Sequence, residues 1–207
     1  ITSDGKKNKI INGAPDWVYE EEFGFAKAYK WSAGSKYIAY LKTDESNVKE
    51  FNMPIYNSLY PEQYKYKYPK AGEENSEVEL YVYNKESEKS VKINLKSEDE
   101  TYIPRIYPTK REGVFMAVSM NRLQNNYKMH KINAAAGISQ IILEINAENY
   151  IELYDDVTFI DEYNFVMSHE DSGFRHLYKY DMNGERQAQI TKGRWEVTDF
   201  YGFDKSA

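Results

Sequence analysis

Leu80-Tyr81-Val82-Tyr83-Asn84, Lys128-Met129-His130-Lys131-Ile132-Asn133 and Leu177-Tyr178-Lys179-Tyr180-Asp181 read as three versions of one strand. Each is followed by a turn and an answering strand. Val91-Lys92-Ile93 follows a polar turn, Gln140-Ile141-Ile142-Leu143 a small-residue turn, and Gln187-Ala188-Gln189-Ile190 the Asn183-Gly184 pair. Asn-Gly between alternating runs is a strong hairpin signal. The first strands end at Asn84, Asn133 and Asp181, which are 49 and 48 residues apart. Strands over residues 114–119 and 165–168 precede the last two hairpins at a similar offset, 51 residues from Met116 to Met167. A period of ~40–50 residues with about four strands per unit is the signature of propeller blades.

The fold class expected is therefore all-β, a partial β-propeller of about three blades with part of one at each end. Such rings usually need four to eight blades to close. An open set leaves strand edges unpaired. Residues 1–207 are thus expected to be a fragment of a larger propeller domain, and Ile1-Thr2-Ser3-Asp4-Gly5 reads as the interior of a longer chain.

Residues 1–12 read as the end of a hairpin, with Asp4-Gly5 as its turn and Lys9-Ile10-Ile11 as a short strand. Tyr29-Lys30-Trp31-Ser32, Ala33-Gly34-Ser35 and Lys36-Tyr37-Ile38-Ala39-Tyr40-Leu41 read as strand, tight turn and strand. Residues 54–76 are expected to be an arm inserted into this first blade. They hold Pro54, Pro61 and Pro69 among Tyr56, Tyr60, Tyr64, Tyr66 and Tyr68. Proline cannot donate to a ladder, so a central strand is excluded there. The segment is either a surface loop or a Tyr-rich partner contact. Residues 96–155 show little beyond the blade rhythm.

Asp16-Trp17-Val18-Tyr19-Glu20-Glu21-Glu22-Phe23 breaks the pattern. Short acidic runs commonly form solvated loop or the first turn of a helix. The alternative is a pair of carboxylates gripping an ammonium group. Adjacent side chains on a strand point to opposite faces, so neighbouring glutamates converge only from a helical turn, a bulge or a tight loop. A functional cluster is therefore expected on a short helical or irregular insertion.

The remaining chemistry is sparse. With 27 Lys+Arg against 33 Asp+Glu the net charge is −6. No basic run with interleaved aromatics suggests nucleic acid, and no stretch approaches the ~20 apolar residues of a membrane span. Cysteine is absent, which excludes disulfides, thiol catalysis and Cys-based zinc sites. The 20 tyrosines suit half-buried sheets whose phenol tips reach water. Gly137-Ile138-Ser139-Gln140-Ile141 lacks the last glycine of a nucleophile elbow. His130, His169 and His176 match no zinc spacing and read as surface or partly packed residues. No cofactor, metal site or catalytic residue is expected in the chain, which by itself reads as a binding element.

The Asp16-Trp17-Val18-Tyr19-Glu20-Glu21-Glu22 string resembles the double-glutamate motif of the dipeptidyl peptidase IV family, in the prolyl oligopeptidase clan. Residues 31–40, Tyr68-Pro69-Lys70-Ala71-Gly72 and Ile190-Thr191-Lys192-Gly193-Arg194-Trp195-Glu196-Val197 extend the likeness. Ala33-Gly34-Ser35 departs from it, where the family often has Pro-Asp-Gly. The resemblance implies an eight-bladed propeller beside a C-terminal α/β-hydrolase domain that carries a Ser-Asp-His triad and is not in this chain. It implies that Glu21 and Glu22 bind the free α-ammonium of a peptide substrate, with Trp17 and Tyr19 as supporting packing and Glu20 structural. It implies a homodimer formed partly by the 54–76 arm, and it favours a periplasmic or secreted location. The family's further arginine contacts are not placed: one lies upstream, and none falls in residues 145–160. The activity implied is release of N-terminal Xaa-Pro dipeptides. A prolyl tripeptidyl peptidase and a propeller that only binds peptides stand as alternatives.

Overall fold

The computed structural model describes residues 1–95 and 101–204. The first blade spans β1 (Ile10–Asn12), α1 (Trp17–Phe23), β2 (Tyr29–Trp31), β3 (Tyr37–Asp44), β4 (Glu50–Ile55), β5 (Glu62–Lys67), β6 (Glu77–Asn84) and β7 (Lys89–Ile93). The second comprises β8 (Thr101–Pro108), β9 (Val114–Asn121), β10 (Asn126–Asn133) and β11 (Ile138–Asn146). The third comprises β12 (Thr158–Phe159), β13 (Asn164–His169), β14 (His176–Asp181) and β15 (Arg186–Gln189). Each blade is an antiparallel meander, and the three sheets do not close on one another. The three strands read first from the sequence are β6, β10 and β14. They end at Asn84, Asn133 and Asp181, whose carboxamide or carboxylate oxygens accept backbone N–H groups of the following turns. An Asn or Asp at that position supplies a turn mimic, which stops the strand.

Blade 2 is the middle slab. Along β9, Phe115 and Ala117 face the blade 1 core with Leu41, Leu80 and Val82. Met116, Val118 and Met120 face blade 3, against Phe165, Tyr178 and Tyr180. A strand covered on both faces loses the polar alternation of a half-exposed one, and the β9 interior is buried throughout. Tyr127 and Tyr178 lie wholly inside rather than reaching water.

Blade 1 carries two insertions. β1 and β2 pair successive parts of the same edge of β3: Asn12 lies opposite Lys42, and Tyr29 opposite Tyr40. Between them the chain leaves at Gly13 and returns at Ala28. The Gly13 amide donates to the Leu41 carbonyl (2.8 Å), the Leu41 amide to Ala28 (2.9 Å), and the Ala28 amide to Gly13 (3.1 Å). The strand is closed as if nothing had been inserted, and α1 is carried by the ejected loop. The second insertion is the arm, which is a two-stranded ribbon of β4 and β5 with its own register. It begins four residues ahead of the expected start at residue 54, and Pro54 sits within it opposite Gln63. A two-stranded ribbon tolerates this because each strand keeps one open edge.

The structure differs from the sequence reading at the first turn and at the histidines. The first turn lies not at Asp4-Gly5 but downstream, where Lys6 bridges Ile10 and accepts the Lys9 and Ile10 amides. Chain continues from the open set of blades at each end, and among the described residues no further named strand stands ahead of β1 or after β15. All three histidines are buried rather than at the surface. His130 shares a hydrogen bond with Ser119 Oγ (2.7 Å), His169 with Tyr180 Oη (2.6 Å), and His176 with Thr191 Oγ1 (3.0 Å). His169 and His176 are cross-strand partners in the third blade.

Burial, helped by the nearby Lys128 ammonium, lowers the His130 pKa from its ordinary 6.5 to about 4. Burial also lowers His169 to about 4, although Asp171 opposes it. Both rings stay neutral in the folded protein while the unfolded chain takes up protons below about pH 6.5. Stability is therefore level above that pH and falls as pH drops towards 4, by up to about 3 kcal/mol per ring. Glu45 works the other way, because burial raises its carboxyl pKa. The melting temperature is expected to fall between pH 7 and pH 4.5, with a shallower slope in the His130→Gln/His169→Gln variant. A second expectation concerns Ser35, held at φ +59 in the turn where the resembled family has glycine. Ser35→Gly removes that left-handed strain and is expected to raise the melting temperature by a few degrees.

Candidate functional site

The acidic stretch forms a short helix because its ends are capped. Asp16, extended at φ −81 and ψ −176, accepts the Tyr19 amide on Oδ1 at 2.9 Å. Its Oδ2 accepts the Ser76 hydroxyl at 2.6 Å, tying the cap to the chain returning from the arm. Gly24 ends the helix at φ +68, and its amide donates to the Glu20 carbonyl. A side chain at that φ would be strained, so glycine makes the stop.

Tyr19 and Phe23, one turn apart, form the buried face of α1. They pack edge-on with Phe25 and Tyr102. The Ile103 amide of β8 donates to Tyr19 Oη at 2.8 Å. Burial raises the Tyr19 phenol pKa, so it remains a neutral hydrogen-bonding group. Arg105 Nη1 donates to the Phe23 carbonyl at 2.8 Å, at the C-terminal end of the helix. Trp17, partly exposed, lies against Tyr68 with ring centroids 4.1 Å apart. Trp17 and Tyr19 thus fix the helix to the arm base and to blade 2.

Glu20, Glu21 and Glu22 occupy the solvent side of α1. No basic residue stands in the last turn. Carboxylates there oppose the helix dipole, by about 0.3–1 kcal/mol each. A seven-residue helix is also too short to form unaided. Its conformation is imposed by the two caps, the buried aromatics and the Ile103 and Arg105 bonds. The result is a rigid platform displaying exposed carboxylates on neighbouring positions.

Blade 2 reaches this platform at a second point. Gln124, in the turn between β9 and β10, donates from Nε2 to Glu22 Oε1 at 2.8 Å. Tyr150 Oη donates weakly to Gln124 Oε1 at 3.4 Å. Beside the C-terminal end of α1, a cavity of about 290 Å3 runs between β2 of blade 1 and β8 of blade 2, lined by Phe25, Ala28, Leu41, Arg105, Tyr107 and Asp155. Arg105 Nε stands 3.3 Å from Asp155 Oδ1. Among the described residues no group of three or more His, Asp or Glu is arranged to hold a metal ion, and no helix is long and apolar enough to cross a membrane.

The residues singled out from the sequence, Trp17, Tyr19, Glu20, Glu21 and Glu22, share this one helix. The 145–160 segment supplies Tyr150 near Glu22 but no arginine. Arg105 and Gln124 were not found from the sequence. They lie far along the chain from the residues they hold, and no local pattern marks them.

The family model described as Dipeptidyl peptidase IV (DPP IV) N-terminal region matches residues 1–207. The chain is 30% identical over 213 residues to dipeptidyl peptidase 4 of Arthroderma otae, covering 96% of this chain and 27% of that protein. It is 33% identical over 230 residues to a probable dipeptidyl-aminopeptidase B of the same organism, covering 96% and 25%. The crystal structure of Porphyromonas gingivalis dipeptidyl peptidase 4 superposes with a TM-score of 0.94 at 40% identity, over 99% of this chain and 30% of that one. A putative dipeptidyl aminopeptidase IV from Bacteroides ovatus gives 0.84 at 26% identity, over 98% and 31%. The chain spans under a third of the length of these relatives. With a platform of exposed glutamates ejected from an open propeller, and a family match along its whole length, the chain belongs to the N-terminal region of the dipeptidyl peptidase IV family.

Proposed function

We propose that this chain is the substrate-gripping part of a serine exopeptidase that releases N-terminal Xaa-Pro dipeptides, and that Glu21 and Glu22 hold the substrate α-ammonium. The observation that carries the reading is the tertiary locking of α1, a helix whose dipole disfavours the carboxylates of Glu21 and Glu22 towards its C-terminal end. Fixed anions that await a cation need such outside support. Two of them hold an ammonium at a set distance from a nucleophile supplied by the hydrolase domain. Only a peptide whose second residue then reaches that nucleophile is cut productively. Relatives named dipeptidyl peptidases support this class of substrate.

The arm fits a homodimer contact. Tyr56, Leu59 and Tyr60 are exposed at its tip, at 75%, 91% and 80%. Large apolar side chains so exposed are the composition of an interface core.

Two outcomes are expected of the full-length protein. Glu21→Gln and Glu22→Gln each lower kcat/KM for Gly-Pro-anilide about 10- to 100-fold, the worth of one charge-assisted hydrogen bond, with unchanged melting by circular dichroism. A large loss of stability with little loss of activity would make the glutamates structural. The Tyr56→Ser/Leu59→Ser/Tyr60→Ser variant is expected to shift the species seen by light scattering from dimer to monomer. A wild-type monomer, or a variant that stays dimeric, would remove the arm contact.

A further inference from the structure

Gln124 is a residue under constraint. It is not a glycine, yet its φ is +52, a region that Gly, Asn and Asp enter readily and longer side chains seldom do. Its backbone is pinned on both sides. Its amide donates to the Asn121 carbonyl at 2.9 Å, and its carbonyl accepts the Ile151 amide at 2.8 Å. Asn121 fixes the same turn by accepting the Asn125 and Asn126 amides at 3.1 and 3.0 Å. Asn8, Ser35 and Glu88 also have positive φ, and what sets Gln124 apart is the partner its side chain meets.

That side chain crosses to the acidic helix, 102 residues away in sequence, and donates to one oxygen of Glu22. Tyr150 on the Gln124 carbonyl oxygen orients the amide so that its N–H group meets the carboxylate. We propose that Gln124 is a positioning residue that sets the orientation of Glu22 and leaves the second carboxylate oxygen for the ligand cation. This rests on the reading of Glu22 given above. The chemistry suits the task. An exposed glutamate otherwise samples several rotamers, and binding must then meet the entropy of fixing it. A lysine or arginine in this place would also order Glu22, but it would neutralise the charge and compete with the ammonium. A neutral amide orders the carboxylate without supplying a cation, since a carboxylate has acceptor sites to spare.

The test is a double-mutant cycle in the full-length protein, with Gly-Pro-anilide as substrate. Gln124→Asn keeps an amide, suits the positive φ and is one methylene too short to reach Glu22. It is expected to raise KM about tenfold, the scale of a hydrogen bond to a charged group, with kcat little changed and the melting temperature not lowered. In the Glu22→Gln background the same change is expected to add nothing, because the positioned carboxylate is gone. Gln124→Gly, which relaxes the backbone and removes the amide, carries the same expectation should Gln124→Asn disturb the turn. If Glu22→Gln raises KM while both Gln124 variants leave it unchanged, the positioning role is overturned and the reading of Glu22 stands. If the Gln124 effect persists in full in the Glu22→Gln background, Gln124 acts by another route and the inference is likewise overturned. If Glu22→Gln itself leaves kcat/KM unchanged, the reading of Glu22 falls and this inference falls with it.

Discussion

The Ala28 amide donates to the Gly13 carbonyl, and Leu41 of the neighbouring strand bonds to both residues. This closure is the constraint on which the site depends. A strand presents neighbouring side chains to opposite faces, so no strand of a propeller can aim two consecutive carboxylates in one direction. The chain meets that limit by leaving its blade at Gly13, forming about two turns of helix, and re-entering at Ala28 without loss of register. Blade 1 stays intact because the ladder is rejoined across the gap.

A helix so ejected has little reason of its own to persist. It is short, it carries carboxylates towards its negative end, and the last turn holds no basic residue. Its order comes from elsewhere. Asp16 and Gly24 set its two ends, Tyr19 and Phe23 bury one face, and Ile103 and Arg105 of blade 2 bond to the aromatic hydroxyl and to the terminal carbonyl. Ser76 and Tyr68, on the chain returning from the arm, hold the first turn. The site thus draws on two blades and the arm base, and a change at the interface of blades 1 and 2 is felt at the glutamates. The arrangement trades local stability for fixed charge, a pattern found where a binding group must be ready before its ligand arrives.

Much of this was legible in the sequence, for physical reasons. The blade period shows because each third strand stops at an Asn or Asp that bonds its own turn, and those residues recur at Asn84, Asn133 and Asp181. An excursion at Glu20-Glu21-Glu22 follows from the two-residue period of strands, which leaves a helical turn, a bulge and a tight loop open; the choice of Glu21 and Glu22 comes from the family resemblance. The first strands of blades 2 and 3 were hidden. β8 is interrupted by Pro104 and has no clean alternation, and β12 is only two residues long. The burial of His130 and His169 was misread because a histidine whose ring shares a hydrogen bond with Ser119 or Tyr180 leaves no mark in composition. Arg105 and Gln124 escaped because their importance lies in the residues they reach across the fold.

The central claim is that the platform on α1 reads a free amino terminus. The most direct measurement is hydrolysis of Gly-Pro-anilide and of its N-acetylated form by the full-length protein under the same conditions. Cleavage of the free form with none of the acetylated form is the result predicted. Cleavage of both at equal rates would contradict the account, since no ammonium would then be needed for the substrate to reach the nucleophile.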